Sequence, residues 1–375
     1  MVEWKKLGEI AEIGTGANNR EDACDNGCYP FYVRSQEVLK IDSYLYDEEA
    51  ILIPGEGGIG EIFHYVNGKY GLHQRTYRVH PVTDEVKGRY IYYYLFAKFK
   101  TYINTKSYKS TAASIRKPML LDFPILIPSL EEQNRIVGIL DTFTASIDNL
   151  KEQIAQRRKQ YEYYRDQLYY ANKADLLEAS KRGDTIVKSL EELGTFTRGR
   201  RFVRTDIVPE GVPCIHYGDM YTYYGVSAEE TPTHLTKELS SKLRFAKYGD
   251  VVIVAAGEND LDIGVGVAWL GNEPVVVHDA CFIFEHKMNP KYLSHFMRSR
   301  NYHQQIRMGV VDGKICSISA KELGRALIAV PSLQEQQRIV SILDTFEASI
   351  QNLEAQLSQR EKQYEYYRNK LLTFE

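Results

Sequence analysis

Pro128–Leu168 reads PSLEEQNRIVGILDTFTASIDNLKEQIAQRRKQYEYYRDQL, and Pro331–Leu371 reads PSLQEQQRIVSILDTFEASIQNLEAQLSQREKQYEYYRNKL, with 29 of 41 positions identical at a constant offset of 203. Both copies open with a capping box directly after a proline, Ser129-x-x-Glu132 and Ser332-x-x-Glu335. The serine oxygen and the glutamate side chain satisfy main-chain donors that a helix start leaves unpaired, so each helix is expected to begin there. Apolar residues then recur at steps of three and four: Ile136, Leu140, Phe143, Ile147, Leu150, Ile154, then Tyr161, Tyr164 and Leu168, repeated from Ile339 to Leu371. A 3.5-residue period held over about five heptads specifies a left-handed coiled coil. Each seam is broken once by a charge, at Arg157 and Arg360, which either fixes register or snorkels.

Outward from the repeat, the stretch before each copy is more divergent but still related. Trp4, Leu7, Ile10 and Gly16 match Val187, Leu190, Leu193 and Gly199 at an offset of 183, and Pro30 matches Pro213. Ala50 to Pro54 with Gly55-Glu56 parallels Val251 to Val254 with Gly257-Glu258. Short β-branched runs between glycine turns, each set followed by a basic helical segment, predict α+β domains with mostly antiparallel strands. The first long helix is expected to run to about Ala179, with Gly183 as its stop, and the second globular stretch follows at once. Compact domains and short connections then require an antiparallel helix pair. The fold class is therefore α+β: two tandem α/β domains separated by a long antiparallel two-helix coiled coil, pseudo-twofold symmetric, with the domains at opposite ends of a rod of roughly 60 Å.

A length of 375 residues suits two or three domains, and 43% apolar residues is ordinary for a chain that buries real cores. No apolar run reaches the roughly 18 to 20 residues that span a bilayer, and MVEWKKLGEI lacks the apolar block of a secretory signal. The expected location is the cytoplasm, with no membrane partner. Five scattered cysteines, Cys24, Cys28, Cys214, Cys281 and Cys316, point to reduced thiols. Cys24 and Cys28 could be half of a zinc site, but no second pair follows at ligand spacing.

The net charge of -3 conceals segregation. Val86 to Leu121 carries Lys87, Arg89, Lys98, Lys100, Lys106, Lys109, Arg116 and Lys117 with no acidic residue. In the second half Arg198, Arg200, Arg201 and Arg204 crowd one loop, and His286 to Lys314 carries six basic residues against Asp312. A single stripe reads as a solvated helix face. Two stripes at matching places in two half-units favour nucleic acid, because local basic fields attract phosphate whatever the total charge.

Catalytic motifs are weak. Gly55-Glu56-Gly57-Gly58-Ile59-Gly60 satisfies GxGxxG, but a dinucleotide site needs those glycines to open a helix. Here Glu61 to Gly68 reads as a strand ending in an Asn-Gly hairpin turn. Asn289-Pro290-Lys291-Tyr292 is similar to the loop of amino-methyltransferases, yet no glycine-rich turn for S-adenosylmethionine accompanies it, and it reads as the entry to a helix from Tyr292 to Arg307. The tyrosines of Tyr161 to Arg165 and Tyr364 to Arg368 fit seam packing better than nucleophiles. His73 and His278 lie in comparable strand segments and read as core or edge histidines. The chain is expected to bind rather than catalyse.

A variable domain, a helix opening with Ile127-Pro-Ser-Leu-Glu-Glu-Gln-Asn-Arg-Ile-Val137, a second variable domain and a second such helix at Val330-Pro-Ser-Leu-Gln-Glu-Gln-Gln-Arg-Ile-Val340 resembles the specificity subunit of type I restriction-modification systems. Trp4-Lys-Lys-Leu7-Gly-Glu-Ile10 with Gly14-Thr-Gly16 is similar to the start of that family's target recognition domain. The resemblance covers essentially the whole chain. It implies target recognition domains at residues 1–127 and 184–330, a central helical spacer at 128–180 and a distal one at 331–375. Each domain would read half of a bipartite double-stranded DNA site across a gap of fixed length. The helices would dock two modification subunits, which bring S-adenosylmethionine and the adenine-methylating site, and a restriction subunit could join; the chain itself would hold no cofactor or metal and would not be an enzyme. Within the domains, phosphate and base contacts are expected from Arg20, Arg34, Gln36, Arg75, Lys106 and Lys109, and from Arg198, Arg200, Arg201, Arg204, Tyr217, Asp219, Arg307 and Lys314. The competing reading is a coiled-coil scaffold or adaptor whose globular ends bind proteins.

Overall fold

A computed structural model describes residues 2–106 and 114–374. The chain forms two compact units, Met1–Lys151 with Ala355–Glu375, and Glu152–Glu354. Among the described residues no helix is long and apolar enough to cross a membrane.

The first unit is built on a six-stranded sheet in the order Ala11–Thr15, Thr76–Pro81, Tyr46–Pro54, His64–Leu72, Tyr29–Tyr32, Val38–Ile41. Pairing is antiparallel except between Tyr29–Tyr32 and His64–Leu72, where Phe31 lies beside Gly71 in parallel register. The helix Gly88–Lys106 covers one face: Tyr90, Leu95 and Phe99 are fully buried in one core with Ile51, Ile53 and Val79. A separate ribbon, Glu3–Lys6 against Pro124–Ile127, ties the chain start to the segment that enters the first long helix.

The second unit repeats this plan with two strands interrupted. The counterparts of Tyr46–Pro54 are Phe245–Ala246 and Val251–Val254, and those of His64–Leu72 are Gly266–Trp269 and Val275–Val277. One interruption passes through Gly249 at φ +92°, after which Asp250 accepts from the Lys247 N–H at 2.7 Å. The other turns under Trp269, whose indole N–H donates to the Glu273 carbonyl at 2.8 Å. The result is a five-stranded and a four-stranded sheet, and the parallel pairing recurs between Val212–Ile215 and Val275–Val277.

The long helices are Leu130–Leu168 and Leu333–Leu371. Glu132 N–H donates to Ser129 Oγ and Glu335 N–H to Ser332 Oγ, at 3.3 and 3.2 Å, which is the serine half of each expected capping box; the glutamate carboxylates instead accept from Arg135 and Arg338 one turn on. The next residue of each motif does more. Gln133, fully buried, accepts from Lys87 N–H and donates to the carbonyls of Glu85 and Pro128, all at 2.9 Å. Gln336 accepts from Asn289 N–H and donates to the Pro331 carbonyl, both at 2.9 Å. Each glutamine thus pins its helix to the turn that precedes the helical layer of its own unit. Ile136 and Leu140 enter the first core, and Ile339, Val340 and Leu343 the second, each such side chain contributing about 1.5–3 kcal/mol by leaving water.

Within each unit the helical segments run in opposite directions. In the first, Phe143 stacks on Tyr367 with ring centroids 5.4 Å apart, and Lys151 lies 3.6 Å from Glu361. In the second, Tyr164 stacks on Phe346 at 5.4 Å and Arg158 pairs with Glu354. The seam charges find matching places: Arg360 sits over the Phe143 ring and Arg157 over Phe346, at 5.8 and 5.9 Å.

Three local expectations change. The first helix stops at Leu168, not near Ala179, because Tyr170 turns left-handed (φ 62°) and Asn172 caps a new helix, Lys173–Arg182, through the Asp175 N–H. Gly183 is the stop of that second piece, at φ 82°. The expected helix from Tyr292 to Arg307 is two helices, Pro290–Phe296 and Arg300–Ile306; buried Ser299 ends one by donating to the Phe296 carbonyl and starts the other by accepting from Tyr302 N–H. Asn67-Gly68 is no hairpin turn: His64–Leu72 passes straight through it, paired with Tyr46–Leu52.

Candidate nucleic-acid interface

In the first unit four loops are stitched into one surface by main-chain hydrogen bonds. Asn18 N–H donates to the Leu72 carbonyl (3.1 Å), Gln74 N–H to Asn18 (2.9 Å), His73 N–H to Tyr32 (3.0 Å) and Gly55 N–H to Arg75 (2.9 Å). The approach is tight enough to demand glycine at position 16, where a Cβ would stand 1.9 Å from the Leu72 oxygen. The loops enclose a cleft of about 230 Å³ lined by Arg20, Val33, Arg34, Ser35, Glu56, Gly57 and His73. Glu56 Oε2 accepts from Arg34 Nη1 at 3.0 Å and from Arg75 Nη1 at 2.9 Å. The bonds from Arg75, then Arg34, hold the Glu56 carboxyl below the usual carboxylate range. His73 Nδ1 accepts the Arg75 N–H at 3.0 Å, and burial, reinforced by both arginines, pushes its pKa down. Here the glycine run GxGxxG connects two antiparallel strands, with Gly57, Gly58 and Gly60 at positive φ. It opens no helix.

The second unit builds the same surface with other side chains. Gly199 replaces Gly16, its would-be Cβ 2.2 Å from the His278 oxygen. His278 N–H donates to the Ile215 carbonyl (3.2 Å) and Arg200 N–H to Val277 (3.1 Å). His278 Nδ1 accepts the Ala280 N–H at 3.1 Å and its Nε2 contacts the Phe202 carbonyl at 3.0 Å, an arrangement suited to the neutral ring. His216, Tyr217 and Phe202 surround it with ring centroids within 4.9 to 5.4 Å of the imidazole. Burial lowers the pKa of both histidines. His73 and His278 are therefore corresponding structural residues of the two loop surfaces, and His73 lines the first unit's cleft.

The candidate residues separate by what they already hold. Arg20, Arg34 and Arg75 meet at one cleft, while Gln36 is exposed nearby in the chain. Lys106 ends the helix Gly88–Lys106, and Lys109 lies outside the described residues. Arg198 Nε donates to the Asp279 carbonyl at 2.7 Å and Arg200 Nη1 to the Lys242 carbonyl at 2.6 Å, so both brace loops. Arg201 and Arg204 are exposed and, among the described residues, make no side-chain hydrogen bond or ion pair. Tyr217 and Asp219 are half-buried; Asp219 accepts from the Thr233 hydroxyl at 3.2 Å. Arg307 and Lys314 flank an exposed loop that also presents Met308, Val311 and Ile315 and returns through the Val311–Ser317 bridge. That loop adjoins the loop surface through Ile318 N–H, which donates to the Ala255 carbonyl at 2.9 Å.

Sequence reading missed Glu56 and His216. Glu56 fell inside a glycine run considered only as a cofactor motif, although Gly-Glu recurs after the matching strand of the second half. No local pattern singles out His216.

Two related α/β units, each with a loop-built, arginine-bearing surface and each rooted on the start of a long helix, define a duplicated recognition protein. The family model for the type I restriction modification DNA specificity domain matches residues 1–157 and again residues 183–361, and the chain belongs to that family. A putative type I restriction enzyme specificity subunit of Haemophilus influenzae is 28% identical over 402 residues, covering 100% of this chain and 96% of that one. A type I restriction enzyme specificity subunit of Escherichia coli is 32% identical over 256 residues, 66% of this chain and 60% of its own. The crystal structure of a type I restriction-modification S subunit from M. genitalium shares the fold, with a TM-score of 0.63 at 16% identity over 100% of this chain and 97% of that chain. The chain is thus a DNA specificity subunit, the recognition component and not an enzyme in its own right.

Proposed function

We propose that each unit reads one half of a bipartite double-stranded DNA target through its loop surface, within recognition domains at 1–127 and 184–330. The long helices of the spacer segments 128–180 and 331–375 form a pseudo-twofold, antiparallel two-helix coiled coil that fixes the gap between the half-sites. They also dock two cytoplasmic modification subunits, which carry S-adenosylmethionine; a restriction subunit completes the nuclease. The observation that carries this reading is the recurrence of one loop surface, with its obligatory glycine, turn histidine and neighbouring arginines, at the same place in both units.

Roles divide by side-chain chemistry and by place in the chain. Arg34, Gln36 and Arg75 in the first unit, and Tyr217 and Asp219 in the second, lie on the loops that meet base edges. Arg20, Lys106 and Lys109, and Arg201, Arg204, Arg307 and Lys314, meet phosphates. Arg198 and Arg200 keep the second loop surface in shape. Methylome sequencing of cells carrying the chain with its modification partner tests the proposal: a split motif with an invariant gap is expected. A continuous motif, or no dependence of the motif on this chain, would overturn it.

A further inference from the structure

Pro290–Phe296 of the second unit meets the second long helix through a cluster that the first unit does not have. Donor atoms of His295, Asp344 and Glu347 all lie within 4.8 Å of one another. His295 is fully buried, and its Nε2 stands 3.4 Å from Asp344 Oδ1. That is long for a charge-assisted hydrogen bond, which prefers about 2.7–2.9 Å. It matches the separation of two donors on a tetrahedral ion bound at about 2.0–2.2 Å. On the far side of the ring, His295 Nδ1 is 3.0 Å from the Tyr161 hydroxyl, which is itself 3.2 Å from Glu347 Oε1.

Counting protons along this chain rules out a neutral imidazole with no ion, and leaves a metal-bound ring or a doubly protonated one, which metal titration separates. A neutral imidazole that donates from Nε2 to Asp344 must accept at Nδ1 from Tyr161, which leaves Tyr161 no hydrogen for Glu347. With Nε2 on a metal ion, Nδ1–H donates to the Tyr161 oxygen and Tyr161 O–H donates to Glu347, so every contact is satisfied. A ligating histidine whose second nitrogen is oriented by such a partner is the usual outer-shell arrangement. Lys291 Nζ holds the other oxygen of Asp344, Oδ2, at 2.5 Å and turns Oδ1 toward the imidazole. A cavity of about 600 Å³ is lined by Lys291, Asp344 and Glu347 among others, so both carboxylates face open space while His295 lies buried behind them.

The corresponding positions of the first unit are Tyr93, Asp141 and Thr144. There Tyr93 donates to Asp141 Oδ1 and its hydroxyl lies 3.2 Å from Thr144 Oγ1, while Arg89 Nε donates to Asp141 at 2.8 Å. Tyrosine and threonine close that network with hydrogen bonds alone. Histidine and glutamate at the same two places turn it into a ligand set of one nitrogen and two carboxylates.

We propose that His295, Asp344 and Glu347 bind a divalent metal ion of the zinc class, clamping the second recognition domain to its long helix. The test uses the full chain in a Cys24→Ser, Cys28→Ser background, stripped with a chelator and titrated with cobalt(II) and then zinc(II). One equivalent of cobalt should give the visible absorption of a tetrahedral site, and zinc should displace it. At 100-fold excess over the dissociation constant, zinc should raise the melting temperature by roughly 5–10 °C. His295→Tyr with Glu347→Thr installs the first unit's residues, so it should keep the circular dichroism spectrum and lose the absorption. Glu347→Gln alone should weaken binding at least tenfold. Absence of the cobalt band, or a band that survives the double substitution, overturns the proposal. A melting temperature indifferent to zinc would do so as well, leaving the pocket to a protonated imidazole.

Discussion

Arg34 and Arg75 each give Glu56 one of five N–H donors, so most of both forks stays available while the carboxylate fixes their spacing. Glu56→Gln should remove one negative charge from the cleft and free the two guanidiniums. Filter binding against a salt series should then show tighter binding to unrelated DNA and a salt slope steeper by about one, with discrimination relaxed in the first half-site only. Arg201→Ala should weaken all sequences alike and lower the salt slope by about one; a change in which sequence is methylated would make Arg201 a base reader. His286 gives a pH prediction. Burial pushes its pKa down to about 4, from the ordinary 6.5 of the unfolded chain. The unfolded chain therefore binds the proton first, and the stability contributed by the neutral ring is present above pH 6.5 and lost as the pH falls toward 4, at about 1.4 kcal/mol per pH unit between the two values. His286→Asn keeps an acceptor for the Met288 N–H, which His286 Nδ1 takes at 3.1 Å. Urea melts across that window should show a shallower acid limb for the variant.

Among the elements, the long helices were the most legible, because capping and heptad spacing are local rules and both copies obey them. Their ends were less so: the stop at Leu168 depends on Tyr170 and on the tertiary hold on Tyr169, whose hydroxyl donates to the Tyr292 carbonyl at 2.6 Å. The sheets were legible as strands but not as topology. The parallel placement of Tyr29–Tyr32 beside His64–Leu72 joins residues about forty apart and leaves no periodic trace. Of the site, the basic rim could be read from composition, whereas the Glu56 bridge and the His216 contact with His278 arise only when distant loops are stitched together. Gln133 and Gln336 lie inside the repeated motif, yet their work shows only in three dimensions. Gln133→Leu leaves the buried Pro128 carbonyl without this partner, at about 1–3 kcal/mol, and also frees the Lys87 N–H and Glu85 carbonyl, which are only part-buried and cost less. Equilibrium unfolding should register a loss of several kcal/mol, against about 1 kcal/mol for Ser129→Ala.

For the molecule as a whole, duplication implies that the two recognition domains are interchangeable in kind. A chain in which residues 184–330 are replaced by a second copy of 1–127 should direct methylation to a site whose halves are inverted copies of one sequence, with the gap unchanged; methylome sequencing would report it, and an asymmetric motif would refute the equivalence. The joint that makes such an exchange feasible is the buried glutamine at the head of each long helix. Its partners are peptide groups only: Lys87, Glu85 and Pro128 in one case, Asn289 and Pro331 in the other. A socket that recognises the course of the backbone and ignores side chains works like a bayonet fitting. A new domain that presents a turn of the same shape, and an apolar seat for the helix's first turns, will lock onto the shaft, so the vocabulary of targets can be rewritten while the coupling stays as it is.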